Sequence, residues 1–295
     1  MCGIRTNGET WCWGGGWNGQ LGSGSTNGGS SPSRVSTAEV FVQVAAGNEH
    51  SCAVTAAAAV FCWGANWNGQ LGDGTTQNRN LPVRVPGVAL VSITAGNRHS
   101  CGLTADGTAY CWGENNGGQL GDGSANNSRF SPVAVALNLK FSKIFAGNGV
   151  TCGTLITPAG KLYCWGGGGW GQLGIGATNS VSTPTAVNSS LSFTSVVFGQ
   201  DFTCGLTSTG QTHCWGYTGA YTLGTGVTPN TAVSSPVRLA NDMGFSSLMA
   251  GEQHACGVTA AKVTYCWGRN NNANLTAELI APTSVTGSTV FRGSR

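Results

Sequence analysis

Cysteine carries most of the chemical potential of this sequence. Twelve occur in 295 residues, and they fall into six pairs: Cys2 with Cys12, Cys52 with Cys62, Cys101 with Cys111, Cys152 with Cys164, Cys204 with Cys214 and Cys256 with Cys266. Zinc sites usually bring cysteines two to four residues apart and converge four ligands on one point. No pair here has that spacing, so no metal site is expected. Six local disulfides with none left over are the leading expectation, and reduced structural thiols are the alternative. Disulfides at this density imply an oxidising compartment.

The other reactive types support no catalytic reading. His50, His99 and His254 recur at one repeat position, the first two followed by Ser51 and Ser100. A nucleophilic serine needs an oriented base, a third group to hold that base and an oxyanion site, all converging on one point. Neighbours on a strand point to opposite faces, so His50 and Ser51 do not meet. Repetition at equivalent places argues for packing. Asp73 and Asp122 stand in Gly-Asp-Gly settings, but calcium wants six to eight oxygens, and one carboxylate per loop suits a turn. The glycines lack the Gly-x-x-x-x-Gly-Lys pattern of a phosphate cradle. The sequence therefore predicts no catalytic residue, no cofactor and no enzyme.

The elements that place the cysteines follow from a repeat. First cysteines at 2, 52, 101, 152, 204 and 256 step by 50, 49, 51, 52 and 52 residues, a period that marks a repeat architecture. Each copy holds four strand-like segments: a Pro-x-x-Val piece such as Pro82 to Val85, an alternating run such as Val91 to Ala95, and both arms of a cysteine hairpin. Short strands punctuated by Gly, Asn and Pro fit blades around an axis. The expectation is all-β: one β-propeller domain over 1–295, with six four-stranded blades and one disulfide hairpin per blade.

Register can be predicted from the hairpin. If Ala105-Asp106-Gly107 is a three-residue loop with the glycine left-handed, Thr104 and Thr108 form a hydrogen-bonded pair. Alternation then sets Cys101 against Cys111 at a non-hydrogen-bonded position with Cα atoms about 4.5 Å apart, within disulfide reach. The fourth pair, two residues wider, has Pro158 and Gly160 in a longer turn. At the C-terminus, Thr289-Val290-Phe291-Arg292-Gly293 matches the apolar strand that precedes each hairpin, such as Ser92 to Gly96. Joined to Cys2 it falls one residue short of the usual spacing. The first blade is expected to be closed by N- and C-terminal strands, which leaves no free edge.

Two sets of aromatic residues stand out. Trp13, Trp63, Trp112, Trp165, Trp215 and Trp267 follow the second cysteine of every copy and are read as packing between blades. Gly-Gln-Leu-Gly then follows at 19–22, 69–72, 118–121 and 171–174, fades to Tyr221-Thr222-Leu223-Gly224 in the fifth copy, and is nearly lost near Leu275. Between these motifs lie Trp17, Trp67 and Trp170, with Tyr217 and Tyr221 in the matching stretch of the fifth copy. Equivalent propeller loops emerge on one face, so these side chains are either a partial binding ring or covers over the blade edges. Trp and Tyr dominate interface energetics.

Composition narrows the partners. Charged residues make up 8% of the chain and the net charge is only +3, without the basic stripe that tracks a phosphate backbone. Nucleic acid is not an expected partner. No run of about 18 apolar residues offers a membrane span, and no signal peptide is visible. An exported protein would have lost its signal or be one domain of a longer chain. Asn126, Asn188 and Asn274 each begin an Asn-x-Ser/Thr acceptor, which chance explains in a chain this rich in those residues.

These motifs in order, with Gly47-Asn48-Glu49-His50-Ser51, Gly96-Asn97-Arg98-His99-Ser100 and Gly251-Glu252-Gln253-His254-Ala255 at the strand entry, resemble the regulator of chromosome condensation repeat family over essentially the whole chain. The resemblance implies a propeller. Its best known members close with seven blades, so seven is the alternative to six. The paired cysteines are similar to the extracellular branches, exported bacterial repeat proteins and crinkly-type receptor ectodomains, and the family spans exchange factors, secreted inhibitors and ectodomains. The expected function is a non-enzymatic, extracellular or cell-surface module binding a protein or glycan through one loop face. Alternatives are a guanine nucleotide exchange factor or chromatin-type regulator, which needs free thiols, and a structural subunit of a surface assembly.

Overall fold

The computed structural model describes residues 1–226, 231–269 and 279–284. Strands β1 (Cys2–Ile4), β2 (Thr10–Gly14) and β3 (Gly29–Arg34) form blade 1. Blade 2 is β4 (Phe41–Ala46), β5 (His50–Thr55), β6 (Val60–Gly64) and β7 (Arg79–Arg84), hydrogen-bonded in that order. The same four-strand meander recurs in blade 3 from Ser92–Ala95 to Arg129–Ala134 and in blade 4 from Phe141–Ala146 to Val181–Ala186. Blades 5 and 6 run from Phe193–Phe198 to Ala232–Arg238 and from Phe245–Ala250 to Leu279–Ser284. The protein is an all-β six-bladed propeller with antiparallel blades. Blade 1 has three strands among the described residues, and the segment Thr289 to Gly293, expected to supply its fourth, lies outside them.

The predicted hairpin register holds. The amide of Thr104 donates to the Thr108 carbonyl at 2.9 Å, and Gly107 takes φ +83°, a conformation glycine adopts without strain. Cys101 then faces Cys111. All six cysteine pairs lie at disulfide distance, with sulfurs 2.03 to 2.12 Å apart and Cα atoms 4.0 to 4.1 Å apart.

The core sits between blades as much as within them. Trp112 of blade 3 packs into a cluster with Cys52, Val54, Val60, Leu71, Val85 and Leu90 of blade 2 and its outgoing connection. Trp165 and Trp215 repeat this in the next two seams. Gly-Gln-Leu-Gly explains itself here. A Cβ on Gly72, at φ +70°, would stand 2.7 Å from the Trp112 Nε1, so only glycine lets the loop close over the indole. The Gln70 carbonyl accepts from Trp112 Nε1 and Ser100 Oγ, each at 2.9 Å. Gln20, Gln119 and Gln172 receive the same two bonds from the Trp and Ser or Thr of the following blade.

Each outer strand carries a central proline: Pro32, Pro82, Pro132, Pro184, Pro236 and Pro282. Proline has no N–H to donate, which confines it within sheets to edges and bulges. A register shift opposite Cys62 to Gly64 surrounds Pro82.

Candidate functional site: the loop face and channel mouth

Meander topology sorts the loops. The loops joining strands one and two, and strands three and four, emerge on the face opposite the disulfide hairpin turns. Trp17, Trp67, Trp170 and Tyr217 therefore share a face with the entrance to the central channel. The three tryptophans are 68%, 53% and 49% exposed. Trp170 and Tyr217, from adjacent blades, meet at a centroid distance of 4.9 Å. Trp17 leans over its own loop, so that a Cβ on Gly15 would meet its ring at 3.0 Å. Tyr221 has a different role. It takes the place of the first glycine of Gly-Gln-Leu-Gly, at φ +57°, and its carbonyl accepts the Gly224 amide at 3.0 Å. No ring contact among the described residues joins it to the other aromatics. Trp63, Trp112, Trp165, Trp215 and Trp267 are fully buried in the seams, and Trp13 is partly buried.

Sequence reasoning passed over the channel mouth. A cavity of about 690 Å³ is rimmed by Asn48, Asn97, Asn148, Gln200 and Glu252, each following the glycine that ends an inner strand. Their recurrence at steps of 49, 51, 52 and 52 was the available signal. Asn97 Nδ2 donates to Asn148 Oδ1 at 2.7 Å, and Asn148 Nδ2 donates to the Gln200 carbonyl at 3.3 Å. Main-chain bonds from Asn97 N to Gly147 O (3.1 Å) and from Gln200 N to Glu252 O (2.8 Å) join blades at the same level. The walls below are largely apolar, with Ala46, Ala95, Phe145, Val196, Phe198 and Ala250.

Of the residues considered for chemistry, His50, His99, Asp73 and Asp122 are engaged in structure. His50 Nε2 lies 2.9 Å from Ser100 Oγ, and His99 Nε2 lies 2.9 Å from Thr151 Oγ1. Both hydroxyls already donate to glutamine carbonyls, so each imidazole Nε2–H is the donor and Nδ1 is unprotonated. Burial lowers His50 to about 4 and His99 to about 3. His254 is exposed. For Asp73, burial pushes the carboxyl up, but hydrogen bonds from Thr75, Arg79 and Asn66 outweigh it and hold the group below its ordinary value. Its Oδ1 takes Asn66 and Thr75, and its Oδ2 lies 2.8 Å from Arg79 Nη2. Asp122 repeats the arrangement with Ser124 and Arg129. Both carboxylates are occupied by their own turns.

No helix among the described residues is long and apolar enough to cross a membrane. No curated protein sequence matches the chain. Among solved structures, Prp20p from Saccharomyces cerevisiae, whose report includes its binding to Gsp1p and histones, superposes with a TM-score of 0.85 at 22% identity, covering 97% of this chain and 75% of its own. Human WBSCR16 gives 0.82 at 20% identity, covering 94% and 78%. The CRINKLY WD40 ectodomain of the Arabidopsis thaliana receptor kinase ACR4 gives 0.56 at 24% identity, covering 97% and 78%. At these identities the likeness carries the fold alone. The family model of the RCC1-like domain matches residues 1–292, in agreement with six Trp-Gly blades, four of them followed by a Gly-Gln-Leu-Gly loop, and the chain belongs to that family.

Proposed function

We propose that this protein is a non-enzymatic, extracellular binding module that engages a protein partner through the loop face. The observation that carries this reading is the exposure of Trp17, Trp67 and Trp170 on the face that also holds the channel mouth. Large exposed aromatics beside a polar, concave centre supply contact area and orientation together. A frame clipped by six disulfides presents that face with little ordering cost on binding. The same disulfides support an oxidising compartment, and receptor ectodomains share the fold.

Two experiments test the reading. Intact mass after denaturation and alkylation without reductant is expected to show no modified cysteine; twelve alkylated thiols would remove the extracellular assignment and turn attention to exchange-factor activity. With a partner isolated by affinity capture, Trp17→Ala combined with Trp67→Ala is expected to weaken binding at least about 30-fold, the loss of about 2 kcal/mol that truncating one central aromatic costs. Unchanged binding would remove the loop face from the interface.

A further inference from the structure

The seam between blades 5 and 6 departs from the other described seams. Thr222 replaces the seam glutamine and Ala255 replaces the Ser or Thr before the cysteine. Elsewhere the glutamine side chain folds back to accept a loop amide, as Gln70 Oε1 does from Asn68 N at 2.9 Å, and so fills the top of the seam. Threonine is too short to do both. Trp267 Nε1, equivalent to the bonded indoles, is buried without a partner among the described residues. At this seam a cleft of about 310 Å³ opens, with Thr222 in its lining beside Asp201, Tyr217, Glu252, Gln253 and Arg269. It shares Gln200 and Glu252 with the channel mouth, so the two cavities are neighbours.

The chemistry of this cleft is specific. Asp201 is half-buried, and its carboxylate has no hydrogen bond and no ion pair among the described residues, unlike Asp73, Asp122 and Asp242, whose carboxylates take hydrogen bonds and face arginines. Burial raises its pKa, the sign of a charge that lacks its counterpart. Glu252, exposed on the rim, is likewise without a side-chain partner. Arg269 forms the outer wall, but its Nη1 donates to Gln253 Oε1 at 2.8 Å, and it pairs with neither carboxylate. The ring of Tyr217, resting on Trp170, supplies an aromatic wall. Two carboxylates against one committed guanidinium make the cleft acidic on a protein of net charge +3.

We propose that this cleft receives an arginine side chain of the protein partner, its guanidinium paired with Asp201 and Glu252 and its plane against Tyr217. Arginine fits better than a point charge because a planar, weakly hydrated guanidinium can stack on an aromatic face and give a carboxylate two bonds at once. The inference rests on the reading of the loop face as a protein-binding surface.

The test uses the full chain and two blocked tripeptides, Gly-Arg-Gly and its isosteric, uncharged counterpart Gly-citrulline-Gly, titrated with tyrosine and tryptophan NMR shifts as readout. The arginine peptide is expected to bind saturably, with at least about tenfold weaker binding of the citrulline peptide, which is about 1.4 kcal/mol. Asp201→Asn and Glu252→Gln are each expected to weaken the arginine peptide by about that factor. Equal binding of the two peptides, no saturable binding, or variants that bind as the wild type would overturn the proposal. Thermal unfolding of each variant controls for folding; should Asp201→Asn unfold, the exposed Glu252→Gln carries the decision. Partner capture through Trp17 and Trp67 is scored separately, so the loop-face reading survives a failure here and can fail without it.

Discussion

A buried imidazole with one satisfied nitrogen is a proton detector set far below neutrality. His50 and His99 each give Nε2–H to a hydroxyl across a seam and leave Nδ1 buried and unpartnered. Their folded-state values, about 4 and about 3, lie below the ordinary 6.5. The unfolded chain therefore takes up protons first as pH falls. Their contribution to stability is complete above about 6.5 and is lost progressively on the way down to the folded-state values. Each pH unit within that window removes about 1.4 kcal/mol per histidine, so His50 alone withdraws about 3 kcal/mol by pH 4. Urea unfolding between pH 7 and 4 is expected to show this slope, and His50→Gln is expected to reduce it by about half. The packing role was legible in the sequence, because adjacent strand residues diverge and the motif repeats. The partner was not: His50 meets Ser100, fifty residues away, rather than Ser51 beside it.

At the scale of the element, the cysteine hairpin was readable almost to the atom, because its turn is local and strand alternation is rigid. Thr104, Gly107 and Thr108 fix the register, and the register fixes the cysteine pair. Replacing Cys101 and Cys111 together by alanine is expected to cost about 2 to 3 kcal/mol from loop-closure entropy, seen as a lower denaturant midpoint with the fold retained. The Gly-Gln-Leu-Gly loop was visible as a recurring motif, but its purpose was hidden, since it acts on the following blade. Its glutamine offers a main-chain carbonyl to an indole about 43 residues on, and main-chain acceptors leave no mark on residue type. Trp112→Phe keeps an aromatic ring but removes the donor and part of a fully buried side chain; it is expected to destabilise by about 2 to 4 kcal/mol, the lost hydrogen bond adding to the cavity left in the seam, without altering the loop face.

The whole ring repeats one joint, and the joints are unequal. In the four described seams from blade 1 to blade 5, an indole and a hydroxyl converge on each glutamine carbonyl; between blades 5 and 6 Ala255 brings no hydroxyl and the indole has no partner among the described residues. Native-state hydrogen exchange is expected to show faster opening along Phe202–Thr207 and His254–Thr259 than along the corresponding strands of blades 2 and 3, and uniform protection would contradict it. Ring size was countable from cysteine spacing. The channel rim was overlooked because Asn and Gln are abundant here and only the closed ring brings positions 50 residues apart to one opening. The outer circumference has its own consequence for life in a crowd. With a proline at the centre of every outer strand, neighbouring copies brought rim to rim find no continuous row of donors to extend. High local density, on a surface or in tandem, then leaves the molecules as separate particles rather than seeding a fibre.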